Sequence, residues 1–230
     1  MKKIKWPMAL VVVCFIAYAC KKNNDNKNQA ANQKTETATA SGNILSLDAT
    51  FTKNTGSPIS KDSALKWMAA YGSKMASLTS YSSLTKNCVL NSKDLMNILK
   101  NPDCVGISFY HGLDSMNRWV VMPFGVTASG SLIKAISIPT PYGYITMDQA
   151  RKMKNAYAVI SSSSIQAQYL GYNTFDRLIN KGKAEWIAIQ NGLKINGEAL
   201  ILSNANDTAG ITYEDESRPC PPFCLQGSLF

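Results

Sequence analysis

The sequence predicts an α+β fold made of two tandem copies of a helix-(strand)-helix-β-hairpin unit packed together. Three observations carry this reading. Residues 59–71 and 145–157 are identical at six of thirteen positions: Ile59/Ile145, Asp62/Asp148, Ala64/Ala150, Lys66/Lys152, Ala70/Ala156 and Tyr71/Tyr157. Behind each segment follows an i, i+3, i+4 apolar stripe and then apolar residues spaced by two, the periods of a helix and of a strand. Between the last two apolar runs of the second copy stands Asn196-Gly197, a strong two-residue hairpin signal.

The chain of 230 residues opens on Lys2, Lys3 and Lys5, followed by the apolar run Met8–Ala19 and then Cys20. About a dozen apolar residues are too few to span a bilayer and match the core of a signal peptide. Ala17 and Ala19 supply small residues before a cleavage point. Placed directly before Cys20, they make the segment resemble a bacterial lipoprotein signal, although Ala17 stands where the usual pattern has Leu. The resemblance implies removal of residues 1–19, lipidation of Cys20 with fatty acyl chains such as palmitate, and a membrane as the first partner. Cys20-Lys-Lys-Asn-Asn-Asp25 is similar to the mature ends of Bacteroidota-type lipoproteins.

Residues 20–43 contain no aromatic and no large aliphatic residue. Such a stretch cannot bury enough apolar area to offset its ordering entropy, so a flexible tether is expected, with a mean reach of roughly 25–30 Å. Ile44, Leu45 and Leu47 begin the folded part. The net charge of +9 is weighted toward the front, where Lys2, Lys3, Lys5, Lys21, Lys22, Lys27 and Lys34 outnumber Asp25 and Glu36. The remainder has no dense Lys/Arg face, which argues against a nucleic-acid partner.

The first repeat is placed at 44–140 and the second at 141–213, joined around Pro139, Pro141 and Gly143. Ser60 and Thr146 are N-cap candidates, and Thr146 with Gln149 fits a capping box. Leu65, Met68, Tyr71 and Met75 share one helical face, as do Ala150, Met153, Tyr157 and Ile160. Leu90–Gly130 is laid against Leu170–Gly210 without further insertion. Leu95, Ile98 and Leu99 then face Phe175, Leu178 and Ile179. Ile107 and Phe109 face Ile187 and Ile189, and Val120–Met122 face Leu200–Leu202. Third strands are expected near 131–138 and 211–213. The first hairpin turn, at Met116-Asn117, has a weaker signal.

Residues 214–230 form a tail containing Cys220-Pro221-Pro222-Phe223-Cys224. This ending, Ile145-Thr146-x-Asp148-x-Ala150, and Cys104-Val-Gly-Ile-Ser-Phe-Tyr-x-Gly112 resemble small exported Bacteroidota proteins ending in Cys-Pro-Pro-x-Cys. That resemblance carries no catalytic residue with it. Cys88, Cys104, Cys220 and Cys224 are disulfide candidates in an oxidising compartment. In a polyproline conformation four steps separate two Cα atoms by roughly 12 Å, whereas a disulfide needs about 4.4–6.8 Å. A Cys220–Cys224 bridge therefore needs a tight turn. Three arrangements stay open: Cys88–Cys104 with Cys220–Cys224, crossed pairs, or free or metal-bound thiols.

His111, the only histidine, precedes Gly112 and reads as a polar turn residue at a hairpin mouth. Ser108, in Gly106-Ile-Ser108-Phe-Tyr110, lacks the second glycine of a nucleophile elbow. Asn204, Asn206 and Asp207 read as a polar turn, and Glu214, Asp215 and Glu216 with Arg218 as a solvated strand end. No dinucleotide fingerprint, phosphate loop or zinc-protease motif is present. No catalytic residue, metal site or cofactor is assigned. The expectation is a lipid-anchored envelope protein that binds an envelope protein or glycan, with Tyr142, Tyr144, Tyr169 and Tyr172 as contact candidates. The alternatives are an envelope hydrolase acting on peptide or glycan, and a thiol-disulfide protein using Cys220 and Cys224.

Overall fold

The computed structural model describes residues 51–76, 87–160, 165–206, 212–215 and 217–220. Cys20, the tether, Asp207, Glu216 and Cys224 lie outside them. Ile44–Phe230 clusters as one unit.

The helices begin where their caps dictate. The Ser63 N–H donates to Ser60 Oγ at 3.1 Å, and α1 runs from Lys61 to Ala76. The Thr146 N–H donates to Gln149 Oε1 at 2.8 Å, and the Gln149 N–H returns to Thr146 Oγ1 at 3.3 Å. This reciprocal capping box satisfies two donors at the head of α3 (Met147–Ile160). Asp62 and Asp148 stand in the first turns, where the helix dipole favours negative charge.

The strands are β1 (Ser57–Ile59), β2 (Cys88–Asn91), β3 (Cys104–Leu113), β4 (Trp119–Thr127), β5 (Ile138–Thr140), β6 (Gly143–Ile145), β7 (Ala167–Gly171), β8 (Trp186–Lys194), β9 (Gly197–Asn204), β10 (Tyr213–Asp215) and β11 (Arg218–Cys220). Helix α2 (Ser92–Leu99) follows β2 directly. Helix α4 (Tyr172–Phe175) follows β7 and continues as a π-helical stretch, Asp176–Lys181.

The described strands make two main sheets, both antiparallel, and both draw on distant parts of the chain. One has the order β1-β10-β9-β8-β2, and the other β11-β7-β3-β4; β5 and β6 form a separate two-stranded pair. Strand β2 therefore pairs with β8, and β7 with β3. The helices follow the same exchange, since α1 packs on β8 and α3 on β3. Gly192 and Gly112 permit these approaches. A Cβ added at Gly192 would stand 3.2 Å from Trp67 Cβ, and one at Gly112 3.0 Å from Met153 Cβ.

The main core lies where the inward strand residues predicted from period two meet the short helices. Ile107, Phe109, Ile187 and Ile189 are fully buried and join Leu95, Leu99, Phe175 and Leu178. Each such side chain contributes roughly 1.5–3 kcal/mol by leaving water. Smaller clusters sit beneath the long helices, one around Ala64, Ile201 and Tyr213, the other around Ala150, Met122 and Phe124.

Two phasing expectations need correction. On α1 the buried positions are Ala64, Tyr71 and Met75, while Leu65 is 46% exposed. The small Ala64, one position before the larger residue, faces the sheet and packs in one cluster with Ile201 of β9 and Tyr213 of β10. In the second hairpin strand the register is one residue off. His111 pairs with Val121, but Asn191 pairs with Leu200 rather than Ile201. The cause is a turn shorter by one residue: Leu113 pairs with Trp119 across five residues, whereas the matching Leu193 pairs with Glu198 across four. In the longer turn Asn117 takes a left-handed φ of 56°, and Asp114 Oδ1 accepts from the N–H groups of Met116 and Arg118.

Because Ala64 is fully buried in this cluster, Ala64→Leu is expected to overpack the α1–sheet contact. Urea titration should show a loss of roughly 1–3 kcal/mol, whereas Leu65→Ala should change stability little.

Candidate functional site

Strand β2 ends where Asn91 caps α2, its side chain accepting from the Lys93 N–H at 2.8 Å. The Ser92 N–H donates to the Glu185 carbonyl at 3.0 Å, which ties the approach to β8 to the head of α2. Between the two runs an open groove of about 570 Å³. Met96, Ile179 and the 41%-exposed ring of Trp186 give it an apolar wall. Lys93, Lys100 and Glu185 are exposed along it. Ser92 also lines it. The residue is 4% exposed, and its buried Oγ has no hydrogen-bond partner among the described residues. The lining thus combines an apolar surface with a predominantly basic rim.

The residues singled out by sequence lie elsewhere, mostly in the core. His111 is not a turn residue. It is 1% exposed inside β3, its ring nearly parallel to those of Trp119 and Tyr157, with centroids 5.7 and 5.2 Å away. Strand β3 continues two residues past it, so the turn begins only at Asp114. Trp119 Nε1 donates to His111 Nδ1 at 3.0 Å, which places the ring proton on Nε2, where no partner is found among the described residues. Burial pulls the imidazole pKa down to about 4. Ser108, also buried, points to the opposite face of the strand.

The acidic tail of the fold is not solvated either. Glu214 and Asp215 are fully buried in β10. Arg177 holds Glu214 in a two-pronged ion pair, Nε to Oε1 at 2.8 Å and Nη2 to Oε2 at 2.6 Å. Lys194 pairs with Asp215. Asp215 meets its cation across β9 on β8, and Glu214 meets Arg177 on the π-helical stretch, placements that local sequence does not reveal.

Cys88 and Cys104 are free buried thiols, so the Cys88–Cys104 bridge is not formed. They sit in different sheets, and each thiol is occupied: Cys88 Sγ contacts the Trp119 carbonyl at 3.5 Å and Cys104 Sγ the Gly106 carbonyl at 3.1 Å. Burial pushes the Cys88 thiol up to about 12 and raises that of Cys104, which disfavours a reactive thiolate. The backbone of Cys220 pairs with Ala167 in the second sheet. Among the described residues no three His, Cys, Asp or Glu side chains gather as a metal-binding group, and no helix is long and apolar enough to cross a membrane.

The four tyrosines divide. Tyr142 and Tyr144 are exposed at the β5–β6 turn, Tyr142 beneath the Arg118 guanidinium at 3.7 Å and Tyr144 donating to Asp94 Oδ1 at 2.7 Å. Tyr169 is buried, and Tyr172 lies under Lys53 Nζ at 5.5 Å. Asn204 Oδ1 accepts from the Asn206 N–H at 3.0 Å, as a polar turn requires. Sequence reasoning missed Ser92, Lys93, Lys100 and Trp186. Their one local signal was the Asn91 cap, because the groove joins segments far apart in the chain.

The chain matches no family model, no curated protein and no solved structure.

Proposed function

We propose that this protein is a lipid-anchored, non-enzymatic binding module of the bacterial envelope, with a folded part derived from tandem duplication of a helix-strand-helix-hairpin unit. The observation that carries the location is the basic, then apolar, then small-residue approach to Cys20. Two features support binding rather than catalysis. His111, Glu214, Asp215, Cys88 and Cys104 are committed to core contacts, whereas the groove beside α2 presents an exposed tryptophan and basic side chains. The duplication is supported by the recurring element order, the paired caps and the reciprocal exchange of β2 and β7 between sheets. In this reading each copy's helix and short strand complete the hairpin of the other.

Cys20→Ser is expected to move the protein from the membrane fraction to the soluble fraction. The full-length soluble variant should then bind washed envelopes saturably and turn over none of a panel of peptide and glycan substrates. Continued membrane retention of Cys20→Ser would remove the anchor from this reading. Turnover without binding would replace the module by a hydrolase.

A further inference from the structure

Helix α2 borders a second cleft on its other flank. Asp94, Asn97 and Ile98 on the helix and Asn101 just past its end are spaced i, i+3, i+4 and i+7, so they share one side. Residues 133–137 and the exposed ring of Tyr144 face them, and the space between is about 400 Å³. That size is ordinary for a site that holds a small molecule. Ile98 and Ile133 close the floor over Gly125, where an added Cβ would stand 3.0 Å from Ile98 Cγ2 and 3.2 Å from Ile133 Cδ1.

The polar groups of this cleft are arranged around an aromatic ring. The Tyr144 hydroxyl donates to Asp94 Oδ1 at 2.7 Å, which fixes the ring while the residue stays 64% exposed. Asp94 keeps its second oxygen for an incoming donor. Asn97 Oδ1 accepts from Lys100 Nζ at 3.2 Å, and Asn101 Oδ1 from the Asp103 N–H at 3.0 Å. Both amide NH2 groups are left as donors. Among the described residues the only charged side chains lining the cleft are Asp94 and Lys134, so their charges balance.

The floor of the cleft cannot take another strand. The Gly125 carbonyl already accepts from the Ile133 N–H at 2.8 Å, and Val126 bridges to Leu132. The β4 edge is occupied there, and an extended peptide finds no open backbone row to pair with. What remains is a fixed aromatic face, an apolar floor, and a carboxylate and two amides at the rim, without net charge. A pyranose ring has the matching surface. Its C–H face is apolar, and its hydroxyls both donate to carboxylates and accept from amides.

We propose that this cleft binds an uncharged stretch of glycan, with one sugar ring stacked on Tyr144 and its hydroxyls bonded to Asp94, Asn97 and Asn101. The bond between Tyr144 and Asp94 sets the ring in advance, which lowers the ordering cost of binding. The proposal rests on the binding-module reading and adds a ligand class to it.

The test uses the full-length Cys20→Ser chain in titration calorimetry. The probes are the tetrasaccharides of glucose, mannose, xylose and N-acetylglucosamine, with an oligogalacturonate as the acidic comparison. At least one neutral tetrasaccharide is expected to bind, and more tightly than the oligogalacturonate. Tyr144→Ala should weaken it by roughly tenfold or more, as loss of a central contact does. Tyr144→Phe, which keeps the ring and loses only the bond to Asp94, should weaken it less. Asn97→Ala/Asn101→Ala should also weaken it, whereas Lys152→Glu, a charge reversal on α3, should leave the affinity unchanged. All these side chains are exposed, and unchanged melting temperatures would show that the fold is intact. Binding of no neutral tetrasaccharide, preference for the oligogalacturonate, or affinity indifferent to Tyr144→Ala overturns the proposal. So does a displayed dodecapeptide library that yields binders lost in Tyr144→Ala, since the cleft would then belong to a protein segment. A chain that binds no sugar yet still binds washed envelopes loses this site and keeps its binding role; one that does neither loses both.

Discussion

Arg177→Met is expected to cost roughly 3–5 kcal/mol of stability, because it strands a buried carboxylate. Glu214 has no exposed side-chain surface and is met by two guanidinium nitrogens at 2.8 and 2.6 Å. The same Arg177 donates to the Gly56 carbonyl at 3.0 Å and to Thr174 Oγ1 at 3.2 Å, so it ties α4, the approach to β1 and β10 to one another. The pair itself contributes little net energy, since removing two charges from water offsets most of their attraction. Its importance appears when one member is lost. The double variant Arg177→Met/Glu214→Leu should therefore recover most of the deficit in urea titration. A single-variant loss below about 1 kcal/mol, the range of exposed pairs, would contradict this description of the β10 edge.

Acid should weaken the fold through His111. The folded imidazole has a pKa near 4, below the value of about 6.5 for an unperturbed histidine. Between these values the unfolded chain takes up a proton that the folded chain refuses. The stability contribution is therefore complete above pH 6.5 and is lost as pH falls from about 6.5 to 4, by about 3 kcal/mol in all. The structural cause is a ring enclosed by Trp119 and Tyr157, with Nδ1 already accepting from the indole and no partner for Nε2 among the described residues. His111→Gln should be less stable at neutral pH but should lose less between pH 7 and pH 4 than the parent. Equal slopes in the two proteins would mean that the imidazole protonates freely in the folded state.

What was legible in the sequence was local. Thr146 and Gln149 announced a helix start because a capping box needs only residues three apart. Ile107, Phe109, Ile187 and Ile189 announced inward strand faces because period two survives any topology. Strand pairing was not legible: β2 has four residues, too few to encode which hairpin it joins, and it joins the later one. The burial of Glu214 depended on Arg177, thirty-seven residues away. His111 read as a turn residue because the polar character and the following glycine suggested one, while the indole that satisfies it comes from the next strand. The shorter second turn shifted the β9 register by one, invisible in hydrophobic residues buried on both faces of the sheet. The groove was least legible, because its walls come from α2 and from the approach to β8.

The anchored location is tested most directly by mass spectrometry of the N-terminal peptide from protein extracted out of membranes. The expected peptide begins at Cys20 and carries a diacylglyceryl thioether on its sulfur, with or without a third acyl chain on its amino group. A chain that retains residues 1–19, or one that begins elsewhere with an unmodified Cys20, would contradict the lipid-anchored reading.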